Sequence, residues 1–354
     1  MIHNMKITME FSQQDINRLS EILTTDQPLN VVVLSHFNPD GDAVGSSLAW
    51  RKFLIGMGHN VECVLPNKFP HFLDWIEDVE KIKIFKDEPE KCNEVLAAAD
   101  VMFFLDFNSV SRLEQMADSI DANKRATKVL IDHHLQPTPD YFDLLFSYPE
   151  SSSTCYLVYK IIERMKGTDS IDTSIASALY VGMMTDTGNF TFSNLSPDLY
   201  RTIAVLVEKG INIPKINVEV YNSHTENRLR LLAYALGPKL DVFENGKAAS
   251  IALTEYDLRR FEHQQGDSEG FVNYPLSIKG VLISAIFQQT HKFIRVSLRS
   301  RGDMDVNVFA RRYFEGGGHK NAAGGKSFRT MGETLEYYRQ CVHEYFIENN
   351  IIEN

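Results

Sequence analysis

Acidic and imidazole side chains recur where short apolar runs end. His36, Asp40 and Asp42 share the run His-Phe-Asn-Pro-Asp-Gly-Asp, and Asp106 closes Val-Met-Phe-Phe-Leu-Asp. Asp132, His133 and His134 follow Lys-Val-Leu-Ile, and Asp186 begins Asp-Thr-Gly-Asn-Phe. The carboxylates of Asp40, Asp42, Asp106 and Asp186 would balance two divalent cations, with His36 and His133 as nitrogen donors. Such a mixed donor set suits Mn²⁺, Fe²⁺, Co²⁺ or Zn²⁺ better than the oxygen-seeking Ca²⁺ or Mg²⁺. Two metals ~3.5–4 Å apart can activate water and clamp the oxygens of an in-line phosphoryl displacement. Singly, each motif has a plainer explanation. An aspartate after a strand caps a helix, Asn-Pro-Asp-Gly is a turn signal, and a His-His pair is ordinarily surface or core. Their joint recurrence at successive strand ends favours the metals.

The elements that must position these groups follow from the apolar patterning. Residues 31–35, 61–65, 101–106 and 128–132 read as buried strands. Residues 43–57 read as a helix with Gly58 as its C-cap, and residues 151–165, 173–184 and 195–210 as further helices. Residues 211–214 break the pattern, and residues 218–236 read as helix interrupted at 222–227. Alternating strands and helices predict an α/β domain with a largely parallel sheet, whose ligands bind at the carboxyl ends of the strands. After Pro238 the character changes. Strands at 247–254, 281–289 and 293–300, a helix at 306–314, a Glu-Gly-Gly-Gly-His segment and a helix at 334–348 predict a smaller α+β domain. With domains of ~100–200 residues, the 354-residue chain divides into 1–215, a connector at 216–235, and 236–354. The active site is expected in the cleft between the two domains.

Composition narrows the function classes. Apolar residues make up 44% and charged residues 23%, as in ordinary soluble domains. No run approaches the ~20 apolar residues of a membrane span, and residues 1–11 lack a signal-peptide block. Cys63, Cys92, Cys155 and Cys341 have no C-x-x-C spacing and read as buried thiols of a reducing, cytoplasmic compartment. Net charge is −11, yet residues 291–329 carry nine Lys or Arg against three acids. That stretch is +6 and the rest −17, which fits a small anionic ligand and argues against long nucleic acid or a membrane. Within it, Gly316, Gly317 and Gly318 could form an anion-binding nest. His319 and Arg299 could add charged hydrogen bonds, with Arg295 and Arg301 as alternatives to Arg299. Arg112 is a further candidate phosphate contact.

Together these motifs resemble the DHH family of phosphoesterases. The resemblance rests on Asp132-His133-His134, the loop 36–46, Asp106, the Asp186 segment Thr-Asp-Thr-Gly-Asn-Phe-Thr-Phe-Ser-Asn, and the Gly-Gly-Gly-His segment with Asn-Ala-Ala-Gly-Gly after it. Within the family, the chain is most similar to the bifunctional oligoribonuclease and pAp phosphatase branch, the nanoRNases. The resemblance implies His36, Asp40 and Asp106 on one metal, and Asp42, Asp106, His133 and Asp186 on the other, with two Mn²⁺ per chain. It implies that Asp132 orients His133 or its neighbour, and that His134 contacts the scissile phosphate or assists the leaving oxygen. The substrates implied are RNAs of about two to five nucleotides and the nucleotide bisphosphate pAp. Phe107-Asn108 departs from the small polar residues more usual in the family. A linear or cyclic dinucleotide phosphodiesterase is the alternative. A catalytically silent nucleotide-binding regulator is the alternative of another class.

Overall fold

The β-branched and aromatic runs form strands, the central ones buried on both faces as parallel strands require. Residues 11–191 and 195–352 are described by this computed structural model. The first sheet consists of β1 (Asn30–Leu34), β2 (Asn60–Leu65), β3 (Lys83–Ile84), β4 (Val101–Leu105), β5 (Thr127–Asp132) and β6 (Leu144–Ser147). Their order is β3-β2-β1-β4-β5-β6, and every pairing is parallel. The chain reverses its winding direction between β1 and β4, where a crevice opens at the carboxyl ends of the strands. His36 lies just beyond β1, and Asp106 just beyond β4.

Alternate residues feed two apolar layers. Val31, Val33, Phe103 and Ile131 face one, and Val32, Leu34, Phe104 and Leu130 the other. The first layer is covered by α1 (Gln13–Leu23), α2 (Gly41–Gly56), α5 (Thr154–Lys166), α6 (Thr173–Asp186), α7 (Pro197–Glu208) and α8 (Ile213–Tyr221). The second is covered by α3 (Pro89–Ala98) and α4 (Met116–Ala122). Helices α2 and α6 cross closely because both supply glycines. A Cβ on Gly41 would lie 2.4 Å from Thr185 Oγ1, and one on Gly182 would lie 2.7 Å from Asp42 Oδ1. This crossing brings the Asp40–Asp42 turn beside the end of α6, where Asp186 sits.

The chain divides between Ser223 and His224 into two compact units. This lies within the stretch read as a connector. Ile216 and Val220 of α8 pack in the first unit, whereas Leu231 and Ala235 of α9 (Glu226–Leu236) pack in the second. The predicted break at 211–214 falls where α7 has ended at Glu208 and α8 begins at Ile213. Pro214 occupies its first turn behind the cap Asn212, where a missing N–H costs nothing. Residues 1–10 and Phe192, Ser193 and Asn194 of the Asp186 segment lie outside the described residues.

The second unit is a mixed sheet of β7 (Leu240–Phe243), β8 (Ala248–Leu253), β9 (Ile283–Gln289), β10 (Ile294–Ser300), β11 (Gly317–His319) and β12 (Ala322–Ser327). Its order is β11-β12-β10-β9-β8-β7, with only β8 and β9 parallel. Helices α11 (Val306–Tyr313) and α12 (Met331–Glu348) pack on one face, and α9 on the other, while α10 (Glu255–Arg260) follows β8. Two of the three glycines, Gly317 and Gly318, lie in strand β11, and Gly316 directly precedes it. The N–H of Gly318 donates to Asn307 Oδ1 at 3.0 Å, and that of Gly316 to the Ala310 carbonyl at 3.3 Å. Glycine is needed because the strands approach closely: a Cβ on Gly316 would lie 1.9 Å from the Gly324 carbonyl oxygen.

Candidate metal centre

Asp106 is the residue around which the first unit's ionisable groups gather. It follows β4 at φ 68°, a left-handed conformation that aspartate tolerates better than most residues. Its Oδ2 lies 3.5 Å from His36 Nε2, its Oδ1 3.4 Å from His133 Nε2, and Thr154 Oγ1 donates to Oδ1 at 3.1 Å. Among the described residues of the first unit, three sets of donors each fall within 4.8 Å of one another: His36–Asp40–Asp106, Asp42–Asp106–His133, and Asp106–Asp132–His134. Asp106 belongs to all three.

Local hydrogen bonds hold the two histidines alike. His36 Nδ1 contacts the Phe37 carbonyl at 2.9 Å, and His133 Nδ1 the Ser151 carbonyl at 3.3 Å. A carbonyl can only accept, which assigns the Nδ1–H form and turns each Nε2 toward carboxylates. Besides Asp106, His133 Nε2 has Asp42 Oδ2 at 3.7 Å and Asp186 Oδ2 at 3.4 Å. An Nε2 so committed can face a carboxylate only with a proton or a cation between them. Accordingly, although burial would lower it, Asp186, Asp106 and Asp42 hold the His133 imidazolium well above the usual histidine range. Burial likewise opposes ionisation of Asp106, but contacts from His133 and His36 outweigh it and hold the acid well below its ordinary range. For Asp42, burial followed by repulsion from Asp106 and Asp186 pushes the acid well up. A divalent cation would substitute for the protons that this crowding retains. These donors fit a metal, and so does Asp132 Oδ2, a buried oxygen with no hydrogen-bond partner among the described residues.

The aspartates that precede helices also cap them. Asp40 Oδ1 accepts from the N–H groups of Asp42 and Ala43 at the start of α2, at 3.0 and 3.1 Å. Asp42 caps a different helix: its two oxygens accept from the N–H groups of Thr154 and Cys155, at 2.6 and 2.8 Å. The positive end of α5 therefore faces the cluster. The sequence reading missed Thr154 and Ser151. The Ser-Ser-Ser-Thr run announced a helix start, but nothing local pointed it at Asp106 or His133. Asp186 stands at the edge, near His133 but in none of the three sets.

His134 links the cluster to Asp132 and Arg112, with its Nδ1 3.8 Å from Asp106 Oδ1. Its Nδ1 contacts Asp132 Oδ1 at 2.7 Å, and Arg112 Nη1 donates to its Nε2 at 3.1 Å. The Arg112 carbonyl also accepts from the Phe37 N–H at 2.8 Å, so one arginine spans the loops after β1 and β5. The departure at Phe107-Asn108 is structural. Phe107 is fully buried against Phe104, and Asn108 Nδ2 donates to the Leu135 carbonyl at 2.6 Å.

In the second unit the register puts Arg299 opposite Ala322, which in turn faces His319. Arg299 and His319 thus share one row and one face of the sheet. Arg295 lies further along β10 opposite Lys326, and Arg301 lies beyond the strand.

Residues 30–183 match the description "DHH family, N-terminal domain", and residues 248–344 the "DHHA1 domain". The chain belongs to the DHH family. A bifunctional oligoribonuclease and PAP phosphatase, NrnA, of Thermus thermophilus is 28% identical, over 83% of each chain. The cyclic-di-AMP phosphodiesterase GdpP of Bacillus subtilis is 26% identical, over 93% of this chain but 49% of that one. A crystal structure of an exopolyphosphatase-related protein from Bacteroides fragilis is 38% identical and superposes with a TM-score of 0.89, covering 96% of this chain and 98% of that one. DHH membership and the names of these relatives point to a metal-dependent hydrolase of the phosphoesterase kind. Among the described residues, no helix is long and apolar enough to cross a membrane.

Proposed function

We propose that the chain is a two-metal phosphoesterase that cleaves RNAs of about two to five nucleotides to mononucleotides and removes the 3′-phosphate of pAp. The observation that carries this reading is the membership of Asp106 in every donor set of the first unit. One carboxylate shared between neighbouring sets is what a bridged pair of ions requires. His36, Asp40 and Asp106 would hold one ion, and Asp42, Asp106, His133 and Asp186 the other. Mn²⁺ is the proposed metal, on the mixed donor chemistry. When bound, such ions supply an activated water and charge stabilisation on the phosphoryl oxygens.

The chain's own groups do the rest. The N–H groups of Thr154 and Cys155 orient Asp42, and the Thr154 hydroxyl orients Asp106. Asp132 holds the His134 ring so that Nε2 and the Arg112 guanidinium point to one place. A phosphate arriving there would draw the guanidinium by a charge-assisted hydrogen bond. In the second unit, the row of Arg299 and His319, with the glycines Gly316, Gly317 and Gly318, would grip a terminal phosphate. Similarity to GdpP over nearly the whole chain supports a second reading, a linear or cyclic dinucleotide phosphodiesterase.

Initial rates with Mn²⁺ on pAp, diadenylate, cyclic di-AMP, pyrophosphate and 5′-labelled RNAs of graded length decide between them. The proposal expects pAp and the shortest RNAs to lead, and expects salt to narrow the gap to longer RNAs by screening the acidic surface. A long RNA degraded as fast as diadenylate at low salt would overturn the short-substrate reading. Turnover of cyclic di-AMP alone would favour the second.

A further inference from the structure

Two large apolar side chains flank the acidic cluster without serving the core. Phe37 is 39% exposed and Leu135 37% exposed, and among the described residues neither joins an apolar core cluster. Scattered exposed apolar residues are ordinary, but the placement of these two is not scattered. Phe37 is the third residue beyond β1 and Leu135 the third beyond β5, the two strands that flank β4 and its Asp106. Each directly follows a histidine of the cluster, His36 or His134. The same loop fastens both: the Arg112 carbonyl holds the Phe37 N–H, and Asn108 Nδ2 holds the Leu135 carbonyl. The apolar pair is therefore fixed at the rim while its side chains stay open to solvent.

We infer that Phe37 and Leu135 form the walls that receive a nucleobase of the substrate, and so select nucleotides over base-free phosphates. The inference rests on the phosphoesterase reading above and adds the chemical class of the group beside the scissile phosphate. Two strand spacings separate β1 from β5, about 10 Å. A planar ring touched on both faces needs roughly 7–8 Å between the flanking carbons. Apolar walls at such a separation, above an ionic floor, would match a base attached through ribose to a phosphate. An inorganic polyphosphate has nothing to place against it. Because both walls are held by backbone-directed hydrogen bonds, little ordering accompanies binding.

The test compares binding of AMP and of ribose 5-phosphate to the full-length, metal-loaded protein by calorimetry. The variants are Phe37→Ala, Leu135→Ala and Phe37→Trp. Removing a base-stacking side chain typically weakens binding about five- to hundredfold. Each alanine variant should lose AMP affinity in that range and keep its ribose 5-phosphate affinity and metal content, and Phe37→Trp should restore AMP binding. A preference for AMP over ribose 5-phosphate that is absent in the parent protein, or unmoved in both alanine variants, overturns the inference. Diadenylate hydrolysis by the same parent protein separates the two claims. Turnover with an unmoved preference sinks only the rim, whereas no turnover sinks the phosphoesterase reading and leaves the binding comparison to judge the rim.

Discussion

Replacing Asp106 by asparagine keeps the side chain's volume and removes one charge from the centre of the cluster. The Asp106 carboxylate contacts His36, His133 and Thr154 and belongs to all three donor sets. If it bridges two ions, both sites should weaken together. A ligand at a hundred times its dissociation constant stabilises the folded state by about 2.7 kcal/mol. For a unit of this size, each kcal/mol raises the melting temperature by about 2–4 °C, so each occupied site should add roughly 5–11 °C. Differential scanning calorimetry of chelator-treated protein, with and without saturating Mn²⁺, reads this shift, and elemental analysis counts bound metal. Asp106→Asn should lose most of the shift, bind less than one equivalent, and turn over about a hundred- to a thousandfold more slowly, the scale on which removal of one preorganised electrostatic contact acts. A variant that retains two tightly held ions and the full shift would refute the bridging role.

Four other outcomes follow from local geometry. Gly182→Ala would drive its Cβ into Cys155 Sγ and Asp42 Oδ1, at 2.2 and 2.7 Å; urea unfolding should show a loss of about 1–3 kcal/mol, partly recovered when Cys155→Ala is added. Asp42→Ala should destabilise the metal-free protein by about 0.5–2 kcal/mol through the lost acceptors at the start of α5, which chemical denaturation in excess chelator measures. His319→Ala should leave metal content intact and lower kcat/KM on pAp and short RNA by roughly ten- to hundredfold, the worth of one charge-assisted hydrogen bond; unchanged kinetics would count against it. Asp257 accepts from Lys239, Thr254 and Tyr234, and although burial opposes its ionisation these contacts hold the acid below its ordinary 3.8. Its stabilising effect is present at neutral pH and is lost as pH falls below that ordinary value toward the lower folded one. Asp257→Asn should cost about 1.5–3 kcal/mol at pH 7, a gap that pH-dependent unfolding should show closing below pH 4.

The first unit was legible because its signals are local. A β-branched run ending in an acid or imidazole gives both the strand and the end at which chemistry gathers, so β1, β2, β4 and β5 and the cluster were readable within a residue or two. The two-residue β3 and the four-residue β6 carry too few apolar residues for any period to stand out. Thr154 and Ser151 were not legible, because their partners lie at least 18 residues away and meet them only through the fold. The strand at the glycine run was not legible, because glycine serves a phosphate cradle and a close strand approach equally well and the pairing of β11 with β12 arises only in the fold. The break near 211–214 was legible, and Pro214, a residue that begins helices as well as ending them, opens α8.

The double duty of Asp42 changes what can be learned from this position in other chains of the family. Its oxygens fasten the start of α5 to the start of α2, so a descendant that abandoned catalysis would still need an acceptor there to keep its helices together. An aspartate at this position is therefore a poor witness to activity, whereas one at position 106 is a better one: among the described residues its carboxylate accepts from one hydroxyl and from no backbone N–H.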